Sequence, residues 1–427
     1  RVARALHEAD VDLIGVNCSG GPAQLLRILR QMRETVPDGR FWVKPNAGFP
    51  EQVGGRIMYP ATPEYFAEYA WAFHAAGADV IGGCCGTTPE HIAAMQDALR
   101  AERPAMVVPD TAIEATPAMG PDLAPDRASH LSGLLGQDAF AVAVEIDPPR
   151  GLSTHKMLAG ANLLKEAGAD VIDVADSPMA RMRMSPWAVC ALIQDRVGIE
   201  TTLHFPTRGR NLLRVQGDLL AAHALGVRNV FVVMGDPTSI GDYPDAMDDY
   251  DVVPSGLIEL IKQGFNVGVD QAGMDIGQPT TFLVGGALNL TPKNPKREMR
   301  VARRKVEAGA DFFLTQPVYD PEAAGAFVAR YRDDLGSGAV PILVGVLPLY
   351  GTRHARFLHN EVPGISIPTA TIERLAGAGE DAPYEGVRLA VELIAQMRAW
   401  AGGVYLMPAF NRYDLAAEVV EAVKATA

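Results

Sequence analysis

Two groups of residues in this chain have types and spacings suited to chemistry. The first is cysteine. The stretch GGCCGTTPEHI, residues 82–92, sets Cys84 beside Cys85 directly after the apolar run ADVI, and Cys18 follows a second apolar run, DLIGVN. Only one further cysteine occurs, Cys190; four so unevenly spaced do not make a secreted disulfide framework, which leaves a metal site or buried thiols. A disulfide between the adjacent Cys84 and Cys85 would be strained. The second group is a series of polar residues that each close a short apolar run: Glu145 (VEIDPPR), Asp176 (DVADSP), His204 (TTLHF), Asp236 (VVMGDP), Asn289 (GALNL) and Gln316 (FLTQP). Any one of them alone is equally a buried polar group satisfied by backbone or a helix cap. Glu145 differs, because Pro148 and Pro149 stiffen the following chain and forbid helix. A carboxylate held there is in a setting that raises its pKa, as a general acid needs.

The elements that must position these residues follow one pattern. Short apolar strands alternate with helices of ten to fifteen residues, and the phrases AGADVIGG (76–83), AGADVIDV (167–174) and AGADFFLT (308–315) each carry a helix through a glycine stop into a buried strand. Repetition of this unit implies a parallel sheet in an α/β fold. Strands are expected near 12–17, 41–45 and 78–83, and the pattern then stops. Residues 103–137 carry Pro104, Pro109, Pro117, Pro121 and Pro125 among small and acidic residues, which reads as a linker between domains. Beyond it, strands are expected near 140–146, 171–176, 200–205, 229–236, 281–289, 312–318, 341–348 and 402–410. Eight such units make a closed (β/α)8 TIM barrel over 138–427, preceded by a partial, three-unit β/α fragment over 1–102. An open doubly wound sheet is the alternative, but no strand is followed by the glycine-rich dinucleotide fingerprint. In a barrel the listed strand-end residues converge on one rim.

Composition narrows the function classes. The chain has 427 residues, 48% hydrophobic and 21% charged, as in ordinary globular proteins of two or three domains. No apolar run approaches the roughly 20 residues of a membrane span and no signal-peptide pattern opens the chain, so a cytoplasmic protein without a membrane partner is expected. The formal charge of -13 argues against a nucleic-acid surface. An anionic ligand must therefore find a local basic pocket. Arg1 falls in the middle of a helical pattern, RVARALHEADVD, so the chain looks truncated at its N-terminus.

The motifs carry a resemblance. VEIDPPR, HFPTRGRNL, Gly235–Asp236 with its proline- and glycine-bearing loop, RRKVEAGA and TQPVYD, in this order, resemble methylenetetrahydrofolate reductase, a flavin-dependent barrel enzyme, over about 138–427. GVNCSGGP, VKPNAGFP, TPEYFA and GGCCGTTPEHI are similar to the zinc-dependent homocysteine S-methyltransferases. Together they look like the bacterial bifunctional fusion, and YLMPAFNRYD and MARMRMS suit that subtype.

The resemblance implies roles. Glu145 is the acid that protonates the folate as its five-membered ring opens, and Asp236 lies near the FAD ring. His204, Arg210, Asn211, Gly235, Glu298 and Lys305 belong to the cofactor site, the last two lying two turns apart on one helix. Gln316 contacts the folate, and NADH or NADPH is the expected electron donor. Arg181 and Arg183 could attract a polyglutamate tail. In the first region Cys18, Cys84 and Cys85, projecting from neighbouring barrel strands, form a three-thiolate zinc site whose fourth position is left for homocysteine. The residues depart from the family pattern at Ala175, where threonine is expected, at Pro408, where tyrosine is expected, and in LYGTRHARF, which lacks the expected folate contacts. The first region matches the last three of eight strands, so the methyltransferase is expected to be incompetent in this chain and active in a longer one. Two other readings are a zinc methyltransferase whose barrel binds folate without redox chemistry, and a first region that serves as an assembly module, for instance within a homo-oligomer.

Overall fold

Each AGAD phrase ends a helix and begins a strand. Gly77, Gly168 and Gly309 take φ of 86°, 103° and 105°, the left-handed conformation that stops helices Pro63–Ala75, His155–Ala167 and Pro295–Glu307. The aspartate of the phrase then ties the new strand to its neighbour: Asp170 Oδ2 accepts from Val142 N at 2.7 Å and Asp311 Oδ2 from Val284 N at 2.8 Å. A computed structural model describes residues 2–18, 20–48, 51–53, 56–58, 61–101, 128–362 and 364–426. The chain separates into two compact units, Arg1–Gly120 and Pro121–Ala427.

In the first unit, β1 (Ile14–Asn17), β2 (Phe41–Lys44) and β5 (Ala78–Ile81) form a parallel sheet in the order β1-β2-β5. A short antiparallel pair, β3 (Glu51–Val53) and β4 (Arg56–Met58), stands apart from it and has no counterpart in the expected strands. Helix Pro22–Thr35 lays Leu25 and Leu29 on Phe41 and Val43, and helix Pro63–Ala75 adds Phe73. Val80 of β5 remains exposed.

The second unit is a closed barrel of eight parallel strands. These are β6 (Ala141–Ile146), β7 (Val171–Val174), β8 (Glu200–Pro206), β9 (Asn229–Val233), β10 (Leu283–Leu288), β11 (Phe312–Pro317), β12 (Ile342–Val346) and β13 (Gly403–Leu406). Alternation along each strand decides what faces inward. Ala141, Ala143, Val171, Phe231, Phe312, Leu314, Leu343 and Tyr405 pack inside the barrel, while Val142, Val144, Ile146, Ile172 and Val174 pack under the outer helices. Gly285 makes room for this interior, since a Cβ there would lie 2.4 Å from the Phe312 ring.

The segment expected as linker, 103–137, lies outside the described residues as far as 127. Its last part belongs to the barrel, because helix His130–Gly136 follows the N-cap Ser129. Glu200 accepts from His130 N at 2.8 Å and Leu131 N at 3.0 Å, and Leu131 buries against the inward side chains. Burying one leucine contributes about 2 kcal/mol. Among the described residues no helix is long and apolar enough to cross a membrane.

Candidate functional site

Strand parity gathers a polar cluster just inside the rim. On β6 the residues facing in are Ala141, Ala143 and then Glu145; register sets Glu145 beside Asp173 of β7, and Asp173 beside Thr202 of β8. One inward step further along β8 is His204. Its Nδ1 lies 4.0 Å from Glu145 Oε2 and its Nε2 lies 3.6 Å from Asp173 Oδ1, within ion-pair reach but beyond a hydrogen bond. From β13 the hydroxyl of Tyr405 donates to Glu145 Oε2. Both carboxylate oxygens of Asp173, Nε2 of His204 and the hydroxyl of Thr202 are buried without a hydrogen-bond partner among the described residues. Such groups are costly, so this cluster is where the barrel departs most from what stability alone favours.

Charge follows from burial. Desolvation pushes the carboxyl of Glu145 up to about 7; the imidazole of His204 opposes this, and the carboxylates of Asp147, Asp173 and Asp236 reinforce it. Asp173 is raised by burial, against the pull of His204. For His204 burial favours the neutral ring, but Asp173 and Glu145 outweigh it and hold its pKa above the ordinary value. The cluster thus keeps a protonated carboxyl available near neutrality, beside an imidazole whose pKa its carboxylate neighbours raise.

Beside it, at the ends of β7, β8 and β9, lies a cavity of about 470 Å³ lined by Asp176, Arg181, Arg208, Arg210, Gly235 and Asp236 among others. Its size is within the range of small-molecule sites. Asp236 Oδ2 accepts from Met179 N at 2.7 Å. Gly235 has φ 87°, and a Cβ there would lie 2.9 Å from Pro206 Cβ. Arg210 is spent on protein: it donates to Asp218 at 2.6 Å and Asp176 at 2.9 Å and stacks over Trp187. Asn211 caps helix Leu212–Ala224 by accepting from Arg214 N. Arg208 donates to Asp248 at 2.7 Å, whereas the guanidinium of Arg181 has no partner among the described residues. Arg183 turns inward, 3.5 Å from Asp147, and is not an exposed anion receptor.

Gln316 lies at the exposed end of β11, on the same alternation as the inward Phe312 and Leu314. Lys305 and Glu298 stand behind β10, where Nζ of Lys305 donates to Ala287 O at 2.5 Å and Glu298 Oε1 accepts from Asn289 N at 3.0 Å. Burial lowers the Lys305 ammonium to about 8. Asn289 itself closes a turn by accepting from Thr291 N. The structure therefore brings together Glu145, His204 and Asp236, and places Glu298 and Lys305 as props of the rim. Reading strand ends alone misses Asp173 and Tyr405. Both lie at an inward position short of the strand end, which the alternation in VIDV and GVYL could have flagged.

In the first unit the ligand atoms of Cys18, Cys84 and Cys85 all lie within 4.8 Å of one another, with Cys18 Sγ 3.6 Å from Cys85 Sγ. Contrary to the expectation of neighbouring strands, the strands that carry them are separated, because β2 runs between β1 and β5. Asn46, just past β2, joins the two loops: its Nδ2 donates to Cys18 O at 2.8 Å and its Oδ1 accepts from Cys85 N at 3.2 Å. Three thiols placed so close together, with Cys18 and Cys85 exposed, have the ligand types and spacing that could hold a metal ion.

The chain can be compared with known proteins at this point. The family model for methylenetetrahydrofolate reductase matches residues 130–424, and that for homocysteine S-methyltransferase matches residues 1–99. Methionine synthase of Mycobacterium leprae is 41% identical over 91 residues, 21% of this chain and 7% of that protein. Methylenetetrahydrofolate reductase (NADH) 1 of Arabidopsis thaliana is 25% identical over 223 residues, 49% of this chain and 36% of that protein. The chain thus matches about a third of the plant reductase's length and under a tenth of the methionine synthase's. A solved structure of an uncharacterized protein from Clostridium thermocellum, titled as binding two copies of 5-methyl-5,6,7,8-tetrahydrofolic acid, superposes with a TM-score of 0.49 at 16% identity, covering 70% of this chain and all of that one. Since the reductase model extends over well more than half of the sequence and takes in the whole closed barrel, the chain belongs to the methylenetetrahydrofolate reductase family.

Proposed function

We propose that the barrel reduces 5,10-methylenetetrahydrofolate to 5-methyltetrahydrofolate, with FAD as hydride carrier and NADH or NADPH as electron source. The observation that carries this reading is Glu145, a carboxyl inside a barrel mouth whose proton is held to about pH 7. The residues present fit a flavin: a cavity beside Asp236 offers the unpaired guanidinium of Arg181 for phosphate and a glycine, Gly235, where the backbone can approach a ligand closely. Bound FAD supplies the hydride chemistry. The chain's own residues do the rest. Glu145 gives its proton to the folate nitrogen that departs from the methylene carbon, and His204, whose Nδ1 lies 4.0 Å from Glu145 Oε2, faces the carboxylate left behind. Asp236 and Gly235 border the cofactor, Arg210 and Asn211 hold the adjoining loop, Gln316 orients the folate, and Glu298 and Lys305 fix the end of β10.

In the first unit, Cys18, Cys84 and Cys85 would hold zinc and present its open side to the thiol of homocysteine, whose pKa a metal lowers. The test of the flavin site is titration of the purified chain with FAD, followed by absorbance. Expected is one FAD per chain, with weaker binding in Asp236→Asn. A colourless protein that takes up no FAD would overturn the reductase reading and favour a zinc methyltransferase with a folate-binding, non-redox barrel.

A further inference from the structure

One phenol is aimed at the acid. Tyr405 is 4% exposed and pairs in register with Ala143, the inward residue immediately before Glu145 on that face of β6. Its hydroxyl donates to Oε2 of Glu145, and the His204 imidazole on β8, two strands to the other side of β6, lies 4.0 Å from the same oxygen. Oε2 is therefore committed, while Oε1 receives no donor among the described residues. A neutral carboxyl whose one oxygen accepts a hydrogen bond carries its proton on the other. We propose that Tyr405 is a positioning residue for Glu145, keeping the transferable proton on Oε1 and stabilising the carboxylate that remains after transfer. The proposal rests on the reading of Glu145 as the acid.

Other groups face Glu145 from every side: Asp173 on β7, His204 on β8, Asp236 after β9, Tyr413 on helix Tyr413–Ala425, and Asp147, itself paired with Arg183. None of these hydrogen-bonds the carboxyl; among the described residues only Tyr405 does, so removing its hydroxyl takes away a donor that favours the ionised form.

Infrared spectroscopy of the whole chain tests this. The carboxyl stretch of Glu145, assigned by its loss in Glu145→Gln, is followed against pH in the parent protein and in Tyr405→Phe. The midpoint should rise by about one pH unit and the band should move to higher frequency. Replacing Tyr405 by 3-fluorotyrosine keeps the shape and strengthens the donor, and should lower the midpoint, which keeps the test open if Tyr405→Phe fails to fold. Midpoint and band unchanged in the folded variants would overturn the proposal. The band reads Glu145 without turnover: shifted midpoints in a protein that cannot reduce methylenetetrahydrofolate would sink the reductase reading instead.

Discussion

The same strand–helix unit builds an exposed thiol cluster in one part of this chain and a buried carboxyl cluster in the other. In the first unit, Cys18 and Cys85 remain exposed at the ends of an open sheet, and Asn46 is the link that sets their loops together. In the barrel every strand has a neighbour on both sides, so inward positions are enclosed; Asp173 is 1% exposed and Glu145 holds its proton to about pH 7. Closure thus separates two kinds of chemistry. A soft metal site needs three pinned loop ends and an open side, whereas a neutral-pH acid needs the low dielectric that only an enclosed interior supplies.

The largest expected effect breaks one side of the comparison only. If Cys18, Cys84 and Cys85 hold zinc as proposed, Cys85→Ser should drop the zinc content measured by mass spectrometry from about one equivalent per chain to about a tenth or less, with any FAD binding by the barrel unchanged. Retention of full zinc would show that these thiols do not form the site.

A second prediction concerns the cost of burying the acid. Burial raises Glu145 from the ordinary 4.5 to about 7, so between these values the folded protein binds a proton that the unfolded chain has released, and stability falls as pH rises through that window. The loss amounts to about 3 kcal/mol. Glu145→Gln should remove it, giving a variant more stable than the parent at pH 8 and little different at pH 5 in denaturant unfolding.

The smallest effect concerns Lys305. Burial lowers it from 10.5 to about 8, so its cost is present below pH 8 and stability should rise as pH climbs from 8 to 10.5. Lys305→Met should flatten that rise while changing stability at pH 7 by about 1 kcal/mol, because the bond to Ala287 O is lost as the desolvation cost disappears. Urea midpoints across that pH range decide it.

Much of this was legible in the residues, for physical reasons that differ by site. The eight barrel strands are legible because short apolar runs alternate with helices along 138–427, two of them, β7 and β11, marked further by an AGAD phrase whose glycine stops the preceding helix, and Glu145 and His204 because polar residues closing such strands must reach the rim. The alternation in GVYL marks Tyr405 as inward, but its partner was not legible, because it meets Glu145 from 260 residues away, through a register that only barrel closure creates. The cysteines were legible as a cluster but not their strand order, since β2 intervenes between β1 and β5. Helix His130–Gly136 escaped notice because it is only seven residues long, carries two glycines and follows a proline-rich stretch.

In the proposed reaction the barrel moves a hydride through flavin while Glu145 moves the proton. The most direct measurement is anaerobic stopped-flow mixing of the FAD-loaded chain with 5-methyltetrahydrofolate, which runs the folate half-reaction in reverse and bleaches the oxidised flavin band. Bleaching should occur in the parent and be slowed at least about 100-fold in Glu145→Gln, with the flavin still bound. A flavin that stays oxidised in the parent, or bleaches equally fast in the variant, would contradict the account.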